Sequence, residues 1–274
     1  MMRSASREAL AHLRRRRDEA VGARASVKTL TGLAEELYAV AALLVAQPRL
    51  RRILGDPATA PEARAEFVGG LLAGKVGKTA VTITQAAVSE RWSSPWDLTD
   101  SLEAAGDDTL FAAAEHDGML DRVEDELFRF ERVLDAEGEL STLLDEKAAD
   151  GEHRVELLDR VVSGKVHPIT LALLQHAVRS DRKRSVALAI DDLLEAASAR
   201  QARSVARVVS AVALSEEQQQ RLTAALSELY GRAINLRTAI DPGVLGGLVI
   251  RVGDEVIDGS VAARLAQART ALAG

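Results

Sequence analysis

A 90-residue internal repeat restricts the fold of this chain more than any other feature of its sequence. When the sequence is shifted by 90 positions without a gap, residues 74–76 (GKV) fall on residues 164–166 (GKV). A repeat of this length indicates two copies of one structural unit in tandem. Further identical residues meet in the pairs Leu30 and Leu120, Glu36 and Glu126, Leu37 and Leu127, Leu44 and Leu134, Leu50 and Leu140, Leu54 and Leu144, Glu62 and Glu152, Arg64 and Arg154, and Gln85 and Gln175.

Both copies have helices and turns in the order expected of a helical bundle. A long helix (about residues 28–46 and 118–136) precedes a short helix with two leucines four positions apart, then a turn and three further helices. Pro61 and Pro168 stand where helices begin, which suits a residue without an N–H group. Aromatic residues make up only 3% of the chain, whereas 47% is apolar and mostly Ala, Leu and Val, which favours close packing of helices. We therefore expect two tandem similar helical bundles.

The junction between the copies, residues 96–116, is predicted to be one helical stretch that Gly106 interrupts only weakly. No linker rich in Pro, Gly or Ser lies there. We expect this stretch to close the first bundle and open the second, so that the copies share a wall and form a rigid tandem.

The pattern changes after residue 203. Residues 204–214 and 233–240 are rich in β-branched residues and are predicted strands, with a helix over residues 215–230 between them. A hairpin over residues 248–257 and a last helix over residues 261–272 follow. The fold class is thus mostly α with a small C-terminal α+β domain, a small sheet with two helices. The predicted domains are residues 1–105, 106–203 and 204–274.

Composition and charge argue against several classes of function. A net charge of −6 disfavours nucleic-acid binding through the overall field, and the absence of Cys excludes disulfides and thiolate metal sites. The longest apolar run, residues 39–46, is far shorter than the roughly 20 residues that cross a bilayer, so any membrane association is expected to be indirect. The four arginines at residues 14–17 could bind nucleic acid or anionic lipid. We interpret them instead as a solvated helix face, because consecutive helical residues point in different directions.

Residues 69–76 (GGLLAGKV) match most of a phosphate-binding loop. Such a loop requires a preceding strand and a Ser or Thr hydroxyl for Mg²⁺, but here an amphipathic helix precedes it and Val76 replaces the hydroxyl. The second copy places Asp159 at the position of Gly69, where a carboxylate would repel phosphate. We interpret the segment as a helix C-terminus, with a nucleotide hydrolase using Lys75 as the alternative. The histidines and carboxylate pairs have no catalytic or metal-ligand spacing, so no catalytic, cofactor-binding or metal site is predicted.

The stretch over residues 234–260 combines an alternating strand, a Gly-Gly pair and a hairpin. With residues 210–218, and with residues 110–115 as a first helix, it resembles the delta subunit of F-type ATP synthases, the homologue of the oligomycin sensitivity-conferring protein. The residues that match the C-terminal pattern of that family are Ile234, Leu236, Ile240, Asp241, Val244, Gly246, Gly247, Leu248, Ile250, Arg251, Gly253, Asp258 and Gly259.

The resemblance implies a non-catalytic stator subunit without cofactors. Its helical domain would bind the N-terminal segments of alpha subunits of the catalytic head, and its C-terminal domain would bind the b-type peripheral stalk. It also implies one copy per complex, peripheral to the cytoplasmic face of the cell membrane. We interpret Gly246 and Gly247 as serving close backbone packing, with the cradling of a ligand as the alternative. Residues 1–105 are then an extra copy, as in long actinobacterial forms. A helical adaptor of another complex is the alternative.

Overall fold

The structure is a computed structural model that describes residues 4–22, 25–146, 150–180, 185–230, 234–241, 244, 246–252 and 255–259. Contacts divide the chain into two compact units, Met1–Leu194 and Glu195–Gly274. The helices of the repeat lie in the first unit, except that the end of the last one, residues 195–204, falls in the second unit with the strands.

Helices follow one another in the same order in both copies of the repeat. Those before the sheet are α1 (Ser4–Val21), α2 (Val27–Ala46), α3 (Pro48–Leu54), α4 (Pro61–Leu72), α5 (Lys78–Ser89), α6 (Pro95–His116), α7 (Leu120–Ala136), α8 (Gly138–Leu144), α9 (Gly151–Val162), α10 (Pro168–Arg179) and α11 (Val186–Ser204). Helices α2 to α6 thus repeat as α7 to α11. This order confirms the mostly helical fold class.

Helical spacing of apolar residues produces the buried faces. In α7, Val123, Leu127, Phe130 and Leu134 recur at intervals of three and four residues and are all buried. In α2, the equivalent Leu37 and its neighbours lie in the core of the first copy. Complete burial of one such leucine stabilises the fold by about 1.5–3 kcal/mol.

Helix α2 is more apolar than α7. Its length and composition would allow it to cross a bilayer, a test that the core helices of globular proteins also pass. Leu33, Leu37, Val40 and Leu44 are buried in the first bundle, so one side of α2 forms the centre of a protein core.

Helix α6 joins the two copies without a break. It continues through Gly106, which confirms the single helical stretch expected at the junction. It packs against α1, α2, α3 and α5 and also against α7 and α10. A Cβ atom at Gly106 would collide with the ring of Tyr38, which lies directly against this point of α6. Glycine therefore permits the close approach of α2 and α6.

The arginine run at residues 14–17 corrects one expectation, because only part of it is a solvated face. Arg15 and Arg16 are exposed. Arg17, however, is 1% exposed and lies 3.8 Å from Asp108 Oδ2, and Arg14 Nε donates to the same oxygen at 2.7 Å. Asp108 belongs to α6, so these ion pairs hold α1 on the shared helix. Local spacing could not reveal a partner 94 positions away.

The described part of the second unit contains a four-stranded mixed sheet in the order β2-β1-β3-β4. Neighbours β1 and β2 are parallel, and the other pairs are antiparallel. A helix supplies the crossover that parallel neighbours need. The elements are β1 (Val205–Ser210), α12 (Glu216–Tyr230), β2 (Asn235–Ile240), β3 (Leu248–Val252) and β4 (Glu255–Asp258). The predicted last helix over residues 261–272 lies outside the described residues.

Helix α12 covers one face of this sheet. Ala206, Val208, Ile250 and Val252 form a core with Leu226 of the helix. The helix begins with a reciprocal cap. Ser215 Oγ accepts a hydrogen bond from the amide of Gln218 at 3.2 Å, and Gln218 Oε1 accepts one from the amide of Ser215 at 2.9 Å.

Candidate functional site

The phosphate-loop match at residues 69–76 is a helix C-terminus. Helix α4 precedes it, Gly74 has φ +72°, and the amide of Lys75 donates to Leu72 O at 3.0 Å. The second copy is built alike, since Gly164 has φ +73° and Lys165 donates through its amide to Val162 O at 3.0 Å. Glycine relieves strain at this left-handed position. The helix-end interpretation is confirmed, and a phosphate-binding loop at Lys75 is wrong because no strand precedes it.

Potential acid and base groups are engaged in structural contacts. Glu36 Oε1 accepts a hydrogen bond from the amide of Gly77 at 2.8 Å, at the start of α5. At the equivalent place, Glu126 Oε2 accepts from the amide of His167 at 2.7 Å, at the start of α10. Both carboxylates thus cap a helix of their own copy. Over the described ranges, no group of three or more His, Asp or Glu side chains could hold a metal ion.

Glu126 has more partners than Glu36. Thr170 Oγ1 donates to its Oε2 at 2.6 Å and Arg122 Nε to its Oε1 at 2.8 Å. Burial alone would raise the pKa of Glu126, but the hydrogen bonds from Thr170, His167 and Arg122 outweigh burial and lower the pKa. The first copy has Ala80 and Gly32 in place of Thr170 and Arg122.

Tyr38 connects the two copies. Its ring stacks on His176 of α10, with ring centroids 3.6 Å apart, and its hydroxyl donates to Asp107 Oδ1 of α6 at 2.7 Å. Burial, and then the charge of Asp107, raise the pKa of Tyr38 well above its ordinary value. The hydroxyl therefore stays protonated at neutral pH and can donate to Asp107. Sequence reasoning missed Tyr38, because its partners lie 69 and more positions away.

A groove of 430 Å³ lies between the two copies beside Tyr38. Helix α2 supplies an apolar floor, and His176 and Arg179 of α10 and Glu103 of α6 lie along its other sides. Because small residues on α2 allow the backbone of a partner to approach closely, the groove suits an amphipathic helix. The apolar residues of this floor are Tyr38, Ala39, Ala42, Val45 and Ala46, and Glu35 of the same helix also lines the groove.

The outer face of α2 differs from that of α7. At equivalent positions, α2 exposes Ala39 and Ala42, whereas α7 exposes Arg129 and Arg132. A solvated helix normally carries polar residues on that face. Comparison of the two copies under the 90-residue shift is the sequence signal that could have identified the groove.

The matched C-terminal residues fall into three groups, and the first is structural. Ile234 and Ile250 are buried in the sheet core, and Leu236 packs against it. Gly259 donates its amide to Leu248 O at 2.9 Å, and a Cβ there would lie 3.2 Å from that oxygen. Gly253 lies outside the described residues.

The second group meets at one end of the sheet, where β1 and β2 end and β3 begins. Ile240 is 60% exposed, and Asp241 donates its amide to Ser210 O at 2.9 Å. Gly246 and Gly247 have φ +67° and +83°, so the backbone conformation itself requires glycine. A cleft of 500 Å³ opens beside them, lined by Ser210, Val212, Leu214, Leu222, Gly246 and Gly247. Val244 precedes this pair and is half-buried.

Arg251 and Asp258 lie on the sheet face opposite α12. Both are exposed. Arg251 of β3 lies directly opposite Arg207 of β1 in the strand register. Arg207 in turn lies opposite Arg237 of β2. Sequence reasoning missed Arg207 and Arg237, because the strand register that aligns them with Arg251 cannot be read from spacing alone.

Comparison with known proteins identifies the family. The family model for the ATP synthase delta (OSCP) subunit matches residues 108–272. ATP synthase subunit delta of Streptomyces griseus is 45% identical over 273 residues, covering 100% of both chains. Subunit delta of Frankia alni is 43% identical over 99% of both chains, and that of Corynebacterium diphtheriae is 42% identical over 99% of this chain and 100% of the relative.

Solved structures of ATP synthases also match. A chain of the Toxoplasma gondii mitochondrial ATP synthase hexamer is 25% identical, with a TM-score of 0.31, and the match covers 61% of this chain and 95% of that one. A chain of the Polytomella F-ATP synthase is 25% identical, with a TM-score of 0.23, and the match covers 25% of this chain and 89% of that one. Since the family model covers more than half of the chain and the bacterial relatives match both copies of the repeat, this chain belongs to the ATP synthase delta (OSCP) subunit family, a non-catalytic part of the peripheral stalk of F-type ATP synthases.

Proposed function

We propose that this chain is the stator subunit that joins the alpha subunits of the catalytic head to the b-type peripheral stalk. The observation that carries the proposal is the match to delta subunits over the whole chain, including the first copy of the repeat. Such a link prevents the head from turning with the rotor, so that proton-driven rotation is coupled to ATP synthesis. Rigid contacts between the copies, such as those of Tyr38, suit this task.

On the head side, the groove between α2 and α10 receives the N-terminal segment of an alpha subunit as an amphipathic helix. Its floor of small apolar residues supports this assignment, because a helix can lie close to Ala39 and Ala42. The second copy supplies His176 and Arg179, so the contact depends on both copies.

On the stalk side, the domain over residues 204–274 binds the b-type subunit. The exposed Ile240 and Val212, beside the cleft at the end of the sheet, support this assignment, since large exposed apolar side chains favour a protein contact. Residues 106–203 then form the helical domain of the family, and residues 1–105 form an extra copy.

One copy of the chain per complex acts at the cytoplasmic face of the cell membrane and reaches the membrane only through its partners. We infer no nucleic-acid partner and no cofactor for this function.

Reconstitution onto membranes stripped of their catalytic heads tests the proposal. Adding the purified chain should restore both head binding and proton-driven ATP synthesis. Lys75→Ala should restore them equally well, because Lys75 follows a helix C-terminus. If heads rebind and synthesis returns equally well without this chain, the proposed function is wrong.

A further inference from the structure

We propose that three arginines on the face of the C-terminal sheet opposite α12 form a docking site for an amphipathic segment of a partner protein, and that this segment has one acidic edge. Arg237, Arg207 and Arg251 are direct partners across β2, β1 and β3. Directly paired residues lie on the same face, and neighbouring strands are about 4.8 Å apart, so the three Cα atoms form a row about 10 Å long. All three side chains are exposed.

The described part of the chain does not balance this charge. None of the three arginines forms a salt bridge or a side-chain hydrogen bond within that part. Asp258, at the edge of the same face, supplies one carboxylate against three guanidinium groups. The last 15 residues of the chain contain two arginines, Arg264 and Arg269, and no acidic residue.

Like charges directly opposite each other destabilise a sheet, so this row favours a partner that brings carboxylates. Guanidinium groups bind carboxylates through two parallel hydrogen bonds, which adds direction to the attraction. Helix α12 packs on the other face of the sheet, and within the described residues the three arginines are exposed.

A second row on the same face indicates that the partner is amphipathic. Val209 pairs with Ala239 on one side and with Val249 on the other, two positions along the strands from the arginines. This apolar row runs parallel to the arginine row, about 6.6 Å from it. A segment that presents acidic residues along one edge and apolar residues along the other would match both rows.

The inference rests on the proposed function for the identity of the partner, the b-type stalk subunit, but not for the chemistry of that partner.

The test uses the full chain and measures its affinity for three probes. These are the purified cytoplasmic part of the b-type subunit, a designed Leu/Glu amphipathic peptide, and the same peptide with Lys in place of Glu. The variant is Arg207→Gln/Arg237→Gln/Arg251→Gln. The matched control, Arg15→Gln/Arg49→Gln/Arg132→Gln, removes the same charge from exposed positions on helices of the first unit.

We expect the full chain to bind the b-type fragment and the Leu/Glu peptide, and the sheet variant to bind both about 10-fold more weakly or worse. The control should bind as the unchanged chain does, and added salt should weaken the unchanged chain more than the sheet variant. Circular dichroism should show that the sheet variant is folded, since its substitutions are all exposed.

The outcomes separate the docking site from the proposed function. Equal binding of the b-type fragment and the Leu/Glu peptide by sheet variant and control would overturn the docking site and leave the stator function standing. In another outcome, the unchanged chain does not bind the b-type fragment but binds the Leu/Glu peptide through the arginines. This result would overturn the stalk assignment and retain the docking chemistry. Preference for the Lys peptide over the Leu/Glu peptide would overturn the docking site.

Discussion

The two copies of the repeat share the contacts that fold them and differ on the faces that meet solvent or partners. Gly74 and Gly164 end helices with nearly the same positive φ, and Glu36 and Glu126 cap equivalent helices. The outer face of α2, by contrast, is apolar where that of α7 is charged. The difference teaches that the two copies keep the contacts that end and cap their helices, whereas their outward surfaces differ in chemistry.

The largest expected effect on stability concerns the contact between Gly106 of α6 and Tyr38 of α2, where the two copies meet. Gly106→Ala places a Cβ atom against the ring of Tyr38, which Asp107 and His176 hold in place. We expect the free energy of unfolding to fall by about 2–3 kcal/mol, as in other overpacked cores. Urea denaturation followed by circular dichroism measures the change.

Gly70→Ala is the control, because Gly70 is exposed on α4 with no neighbouring atom within 4 Å of a Cβ there. It should stabilise the chain by about 0.5–1 kcal/mol through helix propensity. If both variants change the free energy of unfolding alike, the packing of α2 against α6 does not depend on their close approach at Gly106.

The next largest effect concerns the groove. Ala42→Arg gives α2 the residue that α7 carries at the equivalent position, Arg132, and fills the groove with a charged side chain. We expect an alpha N-terminal peptide to bind about 30-fold more weakly, or about 2 kcal/mol, by fluorescence anisotropy. Thr142→Arg adds the same charge to exposed α8 and should leave the affinity unchanged. Equal loss in both variants would show that charge alone weakens binding.

A smaller effect on stability should distinguish the two carboxylates that cap helices, Glu36 and Glu126. Glu126→Gln should lower the free energy of unfolding by about 1.5 kcal/mol and Glu36→Gln by about 0.5–1 kcal/mol, because Glu126 accepts more hydrogen bonds. Equal costs measured by urea denaturation would mean that Thr170 and Arg122 add nothing.

The Glu126 cap also has a pH dependence of definite sign. Because folding lowers its pKa, its contribution is fully present above the ordinary value of 4.5 and is lost as the pH falls through the lowered value. The stability difference between the unchanged chain and Glu126→Gln should therefore shrink in that acidic range. A difference that stays constant there would contradict the lowered pKa.

The smallest difference is expected at the helix ends. Gly74→Ala and Gly164→Ala should each cost about 1 kcal/mol, because alanine is strained at positive φ and no other atom lies within 4 Å of either added Cβ. The two costs, measured by thermal or urea unfolding, should agree. A clear difference would mean that the copies are not equivalent even in their turns.

Sequence reasoning worked where the information is local or periodic. Helix starts at Pro61 and Pro168 and the helix end at Gly74 follow from the chemistry of single residues. The burial of Arg17 could not be inferred in this way. Its hydrogen-bonded partner Asp18 is adjacent and exposed, whereas Asp108, 3.8 Å from its guanidinium group, belongs to a distant helix.

The candidate sites were predicted less completely than the fold. Matched residues such as Ile234 and Ile250 proved to be core positions of the sheet, while Ile240 lies at its exposed end. The row that Arg251 forms with Arg207 and Arg237 depends on strand register. Alternation identifies a strand but does not specify which residues of neighbouring strands pair.

The continuity of α6 has a mechanical consequence. Its 22 residues form a rod about 33 Å long, and this rod belongs to the packing of both copies. Rotation of one copy against the other would require bending this rod and separating Tyr38 from His176. We therefore expect the tandem to resist rotation of one copy against the other, so that a mechanical load applied to one copy is passed to the other along α6.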